Sequence, residues 1–135
     1  MVFFAGQQKD ILVILKDHGF NWIRLRVFVN PQAQKGYSSK GYCDLEHTLQ
    51  MAKRVEKAGM RLLLDFHYSD TWADPGHQRK PKAWADLHGA ELEKAVQAHT
   101  TDVMTALKNQ GTLPDIVQIG NEISNGFLWP DGKVW

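Results

Sequence analysis

One pattern recurs three times along this chain and constrains its fold more than anything else: an apolar-faced helix, a glycine, a short apolar strand, then a polar loop. In the first unit, Ile11, Leu12, Ile14 and Leu15 fall at helical spacing, which predicts a helix over residues 8–18. Gly19 then supplies a left-handed stop. Residues 21–29 read as a strand, because Ile23, Leu25 and Val27 alternate with Arg24, Arg26 and Phe28. Asn30-Pro31 ends it and a polar loop runs to Gly41. In the second unit, Asp44 is a good N-cap for a helix over residues 44–58, with Leu45, Leu49, Ala52 and Val55 as its apolar stripe. Gly59 stops it, and residues 61–66 form a nearly continuous apolar run, as suits a parallel strand covered on both faces. A long loop follows to Gly89. In the third, Leu92, Val96, His99, Val103, Ala106 and Leu107 give the apolar face of a helix over residues 90–109. Gly111 and Pro114 precede a strand over residues 116–120, and residues 121–135 read as loop.

Strands alternating with helices mean βαβ units and a parallel sheet, so the fold class is α/β. Neither GxGxxG nor GxxxxGK follows any strand, which argues against a nucleotide-binding doubly wound sheet. Polar and aromatic residues instead crowd the end of every strand. In a parallel α/β barrel that end carries the active site.

Composition narrows the classes further. The 16 basic and 15 acidic side chains nearly cancel, leaving no footprint for nucleic acid or an anionic membrane. Cys43 is the single cysteine, so no internal disulfide framework is possible. No apolar run approaches the roughly 20 residues of a membrane span. The apolar start at residues 1–5 is too short for the core of a signal peptide.

The chemistry gathers at the three strand ends. On the first strand Arg24 and Arg26 share one face. A barrel would turn that face inward, where a guanidinium needs carboxylate partners; an edge strand would leave both arginines in water. At the second strand's end lie Asp65, His67, Asp70, Asp74 and His77. Such residues bind metals or sugars, or merely build turns. The helical His-Glu-x-x-His and paired-Cys patterns of metal sites are missing. Trp72 in their midst favours sugar, because an indole face stacks on the apolar face of a pyranose. Trp84 and Trp129 suit either that role or the core. After the third strand, Asn121-Glu122 places an amide and an acid at a strand end. A glutamic acid partly desolvated in a sugar pocket can protonate a glycosidic oxygen.

Five strings together resemble the arabinogalactan endo-β-1,4-galactanases, glycoside hydrolase family 53. They are ILKDHGFNWIRLRVFVNP (14–31), AKRVEKAGM (52–60), LDFHYSDTWADPG (64–76), QIGNEI (118–123) and GFLWPDG (126–132). The resemblance implies a retaining hydrolase of β-1,4-galactan on a (β/α)8 TIM barrel, with this chain a partial barrel covering strands two to four and their helices. Residues 1–135 would be an N-terminal portion of the catalytic barrel, lacking the first strand and strands five to eight. It implies Glu122 as acid/base, Asn121 as hydrogen bonder to the sugar, Arg24 as the residue that orients the nucleophile, and His67 beside them. Arg26, Asp70, Trp72, Asp74 and Trp129 would lie in the sugar-binding set. Phe28 stands where many relatives carry Trp. The family's nucleophile, a glutamate on the seventh strand, has no candidate here, so the isolated chain is expected to be inactive. No cofactor is implied, and a calcium site, if any, would lie outside this chain. The implied partner is a polysaccharide, with no nucleic acid or membrane. The full-length enzyme would be monomeric and secreted, since a plant wall polymer is too large to enter a cell. A non-catalytic carbohydrate-binding remnant and another endoglycanase of the same clan are the alternatives.

Overall fold

The computed structural model describes residues 2–134. Its centre is a parallel sheet of three strands, β3 (Trp22–Val27), β4 (Arg61–Phe66) and β5 (Ile116–Ile119), hydrogen-bonded in that order. Helix α2 (Leu45–Lys57) links β3 to β4, and α3 (Gly89–Asn109) links β4 to β5. The α/β reading and the parallel sheet therefore hold. Each helix ends in the same way. The N–H of Phe20, Met60 and Thr112 reaches back to Leu15, Val55 and Leu107, while the glycine before each sits at positive φ. This Schellman closure turns the chain sharply from helix into strand.

The N-terminus differs from the sequence expectation. Residues 7–9 are not helix: β1 (Val2–Phe4) and β2 (Gln7–Lys9) form an antiparallel hairpin over Ala5 and Gly6. Helix α1 (Ile11–Asp17) begins only after Asp10, whose carboxylate accepts the Leu12 N–H at 2.8 Å. Leu12 and Ile14 are its buried residues, whereas Ile11, expected on the apolar face, is exposed. The C-terminal segment is also more ordered than a loop. It folds into a small antiparallel pair, β6 (Gly126–Phe127) and β7 (Gly132–Lys133).

The period of two along the strands sorts side chains into two layers. Leu62, Leu64 and Phe66 point to the helices and pack with Val27, Ala52, Val55, Leu92, Val103 and Leu107 in one core. Fully burying an aliphatic or aromatic side chain of this kind stabilises by about 1.5–3 kcal/mol. On the opposite face the register sets Arg26, Asp65 and Gln118 abreast, with Arg24 and Leu63 one step behind. Trp84, from the short 3-10 turn at Lys82–Trp84, belongs to the core and takes no part in the polar face.

Candidate active site

The polar face is wired together through one guanidinium. Arg24 Nη2 donates to Asp65 Oδ2 at 2.7 Å, to Asn121 Oδ1 at 2.8 Å and to Gln118 Oε1 at 3.2 Å. A single side chain thus links β3 to β4, to β5 and to the segment just after β5. The Asp65 side chain is 0% exposed, while that of Arg24 is 46% exposed. The buried carboxylate is what fixes the arginine, since an unpaired charge there would be costly.

His67 is also fully buried, with Nε2 3.1 Å from Asp65 Oδ2 but outside hydrogen-bond geometry. Its Nδ1 accepts the Ala73 N–H at 3.1 Å. An accepting Nδ1 carries no proton, so the neutral ring holds its hydrogen on Nε2, towards Asp65. Phe28 meets the His67 ring edge-on at 4.8 Å. Asn121 is oriented from both sides: its oxygen takes the Arg24 bond, and its Nδ2 donates to Ala73 O at 2.6 Å. Of the two amide hydrogens, one is taken up by this bond. Glu122 follows directly, exposed, with its backbone in the left-handed region at φ 52°.

Trp72 stands beside this group, 45% exposed. The Arg26 guanidinium lies 4.2 Å from its ring centroid, and Phe28, Tyr37 and His67 pack against it edge-on. Arg26 therefore backs the indole. With Thr71, Asp74, His77 and Arg79, Trp72 lines a cleft of about 220 Å³.

The five acids and histidines between Asp65 and His77 do not converge on one point. Asp65 and His67 face the polar layer. Asp70 is buried and turned inward, its two oxygens accepting the Asn30 and Lys82 N–H groups at 2.9 and 2.8 Å. That geometry gives it the part of a clamp between two loops, where the sequence grouped it with sugar binders. Asp74 closes a turn: it accepts from Gly76 N at 2.8 Å and contacts His77 Nδ1 at 2.9 Å. The Gly76 N–H, then His77, hold its carboxyl below the usual range. Among the described residues, no group of three or more His, Cys, Asp or Glu comes together as a metal site would require. Trp129 is half-buried, with Nε1 donating to Asn125 O and Lys133 over its ring at 4.6 Å. The sequence grouped Asp65 with metal- or sugar-binding candidates, whereas the structure pairs it with Arg24; its signal was a lone acid inside the apolar run Leu62–Phe66. Gln78, 2% exposed, had no assigned role from the sequence and carried no signal.

The family model described as Glycosyl hydrolase family 53 matches residues 3–135. The chain belongs to this family. It is 44% identical over 128 residues to a probable arabinogalactan endo-beta-1,4-galactanase A of Aspergillus fumigatus, covering 95% of this chain and 34% of that protein. It is 43% identical to an arabinogalactan endo-beta-1,4-galactanase of Humicola insolens, across 95% of this chain and 36% of that one. Among solved structures, the GH53 catalytic domain of Ignisphaera aggregans superposes with a TM-score of 0.84 at 48% identity, covering 95% of this chain and 36% of that one. This chain thus spans about a third of the length of these relatives. A glycosidase family assigned over nearly the whole chain accords with an acid, an amide and a half-exposed indole at or just beyond neighbouring strand ends. No helix among the described residues is long and apolar enough to cross a membrane.

Proposed function

We propose that this chain forms part of an arabinogalactan endo-β-1,4-galactanase, a retaining hydrolase of β-1,4-galactan. In this reading β3, β4 and β5 are the second to fourth strands of a (β/α)8 barrel, and their ends form one wall of the active site. Glu122 protonates the glycosidic oxygen as the bond to the anomeric carbon breaks. A second carboxylate attacks that carbon and forms a glycosyl ester. Glu122, now ionised, then takes a proton from the water that releases the sugar. Asn121 gives its remaining N–H to a sugar hydroxyl. Arg24 and His67 keep that amide and the adjoining carboxylate sites in place. Trp72 stacks on a sugar ring, with Asp74 and Trp129 in the flanking loops. The observation that carries this reading is the Arg24 bridge, which ties Asn121, the residue next to the candidate acid, to the buried Asp65 carboxylate.

The isolated chain is inactive in this proposal. Retention requires two carboxyls roughly 5–5.5 Å apart. Asp65 is buried against Arg24 and His67, Asp70 is occupied by two backbone N–H groups, and Asp74 by its own turn. None is free to attack. The whole enzyme works on a plant wall polymer outside the cell, as a monomer, without a cofactor. The test compares the 135-residue chain with the complete enzyme carrying this segment, measuring new reducing ends from β-1,4-galactan. Turnover by the complete enzyme, lost in Glu122→Gln and absent from the chain alone, is expected. Preference for mannan or β-glucan, or full activity in Glu122→Gln, would overturn the assignment. The half-exposed Trp72 also favours a second reading, sugar binding without cleavage; quenching of its fluorescence by galacto-oligosaccharides in the chain alone would support it.

A further inference from the structure

The side chain of Gln78 is buried where three segments meet. Its Nε2 lies 2.8 Å from Asn121 O, 3.1 Å from Asp74 O and 3.4 Å from Glu122 O. Its own carbonyl accepts the Trp129 N–H at 2.7 Å. Among the described residues, Nε2 is the sole hydrogen-bond donor to the carbonyls of Asn121 and Glu122. Glu122 meanwhile holds a left-handed backbone at φ 52°, a conformation that is strained for a non-glycine residue and persists only where its surroundings enforce it. That φ sets the direction in which Cβ, and the side chain that carries the carboxyl, leaves the backbone.

We infer that Gln78 is a positioning residue: its side-chain amide clamps the Asn121 and Glu122 carbonyls and thereby holds Glu122 in the left-handed conformation that aims its carboxyl. The same residue ties Trp129 to that clamp through its carbonyl, so the acid and one sugar-binding loop move together. The importance of this aim for catalysis rests on the reading of Glu122 as acid/base, but the clamp itself does not.

The test is NMR on the isotope-labelled chain and needs no turnover. In the wild type, a scalar coupling across the hydrogen bond is expected from Gln78 Nε2 to the Asn121 carbonyl carbon. The Glu122 amide-to-α coupling and carbon shifts are expected to report positive φ. Gln78→Met keeps the bulk and removes the donors, so the positive-φ signature at Glu122 should be lost. Lys80→Met, in the same loop but away from these carbonyls, should keep it. An absent wild-type coupling, a Glu122 that stays left-handed in Gln78→Met, or one that changes equally in Lys80→Met would each overturn the clamp. Gln78→Asn, one methylene too short to reach, replaces Gln78→Met with the same expectation if the latter does not fold. A chain that cleaves no galactan leaves the clamp standing, and a failed clamp leaves the galactanase reading standing.

Discussion

Arg24 and Asp65 form one ion pair, but the two halves are buried unequally, and the consequences of removing either are correspondingly unequal. The Asp65 side chain is 0% exposed, whereas that of Arg24 is 46% exposed. Asp65→Asn leaves a guanidinium that water already reaches and that still donates to Asn121 and Gln118. A charged hydrogen bond contributes about 1.5–3 kcal/mol, and discounting for exposure leaves a loss of about 1–2 kcal/mol. Arg24→Met instead strands a carboxylate with no access to water. Its Oδ1 already lacks a partner. Removing one member of a buried pair in this way costs about 3–5 kcal/mol. The gap between the variants is thus about 2 kcal/mol, which at a urea slope of about 1–3 kcal/mol per molar separates their midpoints by about 1 M. Urea unfolding followed by circular dichroism measures both. A double variant, Arg24→Met with Asp65→Leu, should be more stable than Arg24→Met alone, because the stranded charge is gone. If Asp65→Asn proves as costly as Arg24→Met, or the double variant gains nothing, then burial of the carboxylate does not govern this network.

Three further substitutions probe other parts of the molecule. Burial among Phe66, Tyr68 and Trp84 pushes the His99 pKa down from its ordinary 6.5, only partly offset by Asp102. The unfolded chain therefore binds the proton first, and stability falls as pH drops through and below 6.5; His99→Leu should remove that slope in pH-dependent melts. Arg26→Met removes the cation behind Trp72, a contact of about 0.5–1 kcal/mol, so galacto-oligosaccharide affinity read by tryptophan quenching in the complete enzyme should fall about 2- to 5-fold. Unchanged affinity would show that the indole needs no backing. Thr100 donates its hydroxyl proton to Val96 O, so the Tyr68 hydroxyl donates to Thr100 Oγ1 at 2.9 Å. Tyr68→Phe should lower stability by roughly 1 kcal/mol in urea, and no loss would mean that water replaces the bond.

Most of the architecture was legible because its signals are local. Asp44 capped α2 as expected, its carboxylate accepting the His47 N–H at 2.7 Å. The glycines marked where α1, α2 and α3 end, since a left-handed stop is written in one residue. The β1–β2 hairpin was missed for a physical reason. Its two-residue turn sets both Ala5 and Gly6 at positive φ, and Ala is not a residue that advertises that conformation. The apolar start of α1 then absorbed residues 8 and 9 into a helix that Asp10 in fact begins.

The site divides along a similar line. That Arg24, His67 and Asn121 would come close together was legible, because polar groups on or just after neighbouring apolar strands are brought side by side by a parallel sheet. The roles of Asp70 and Gln78 were not, because they are set by backbone atoms far away in sequence. Asp70 serves Asn30 and Lys82, and Gln78 serves Asn121 and Glu122. Nothing in a polar loop tells which of its side chains will turn inward to hold another loop.

The alternation that builds the core also builds the site, and neither can shift without the other. Sliding β4 by one residue would exchange its two faces. Asp65 would then be driven among Leu92, Val103 and Leu107, where no cation awaits it, and Leu64 would lie opposite Arg24. The slip would cost the aliphatic burial of β4 and strand both charges at once. Selection for a stable core and selection for the strand-end chemistry therefore favour the same register. Three strands of four to six residues suffice to place Arg24, Asp65 and Gln118 within reach of one another. Precision in the polar layer is thus inherited from the apolar one, and the loops need only supply Glu122, Trp72 and the residues that hold them.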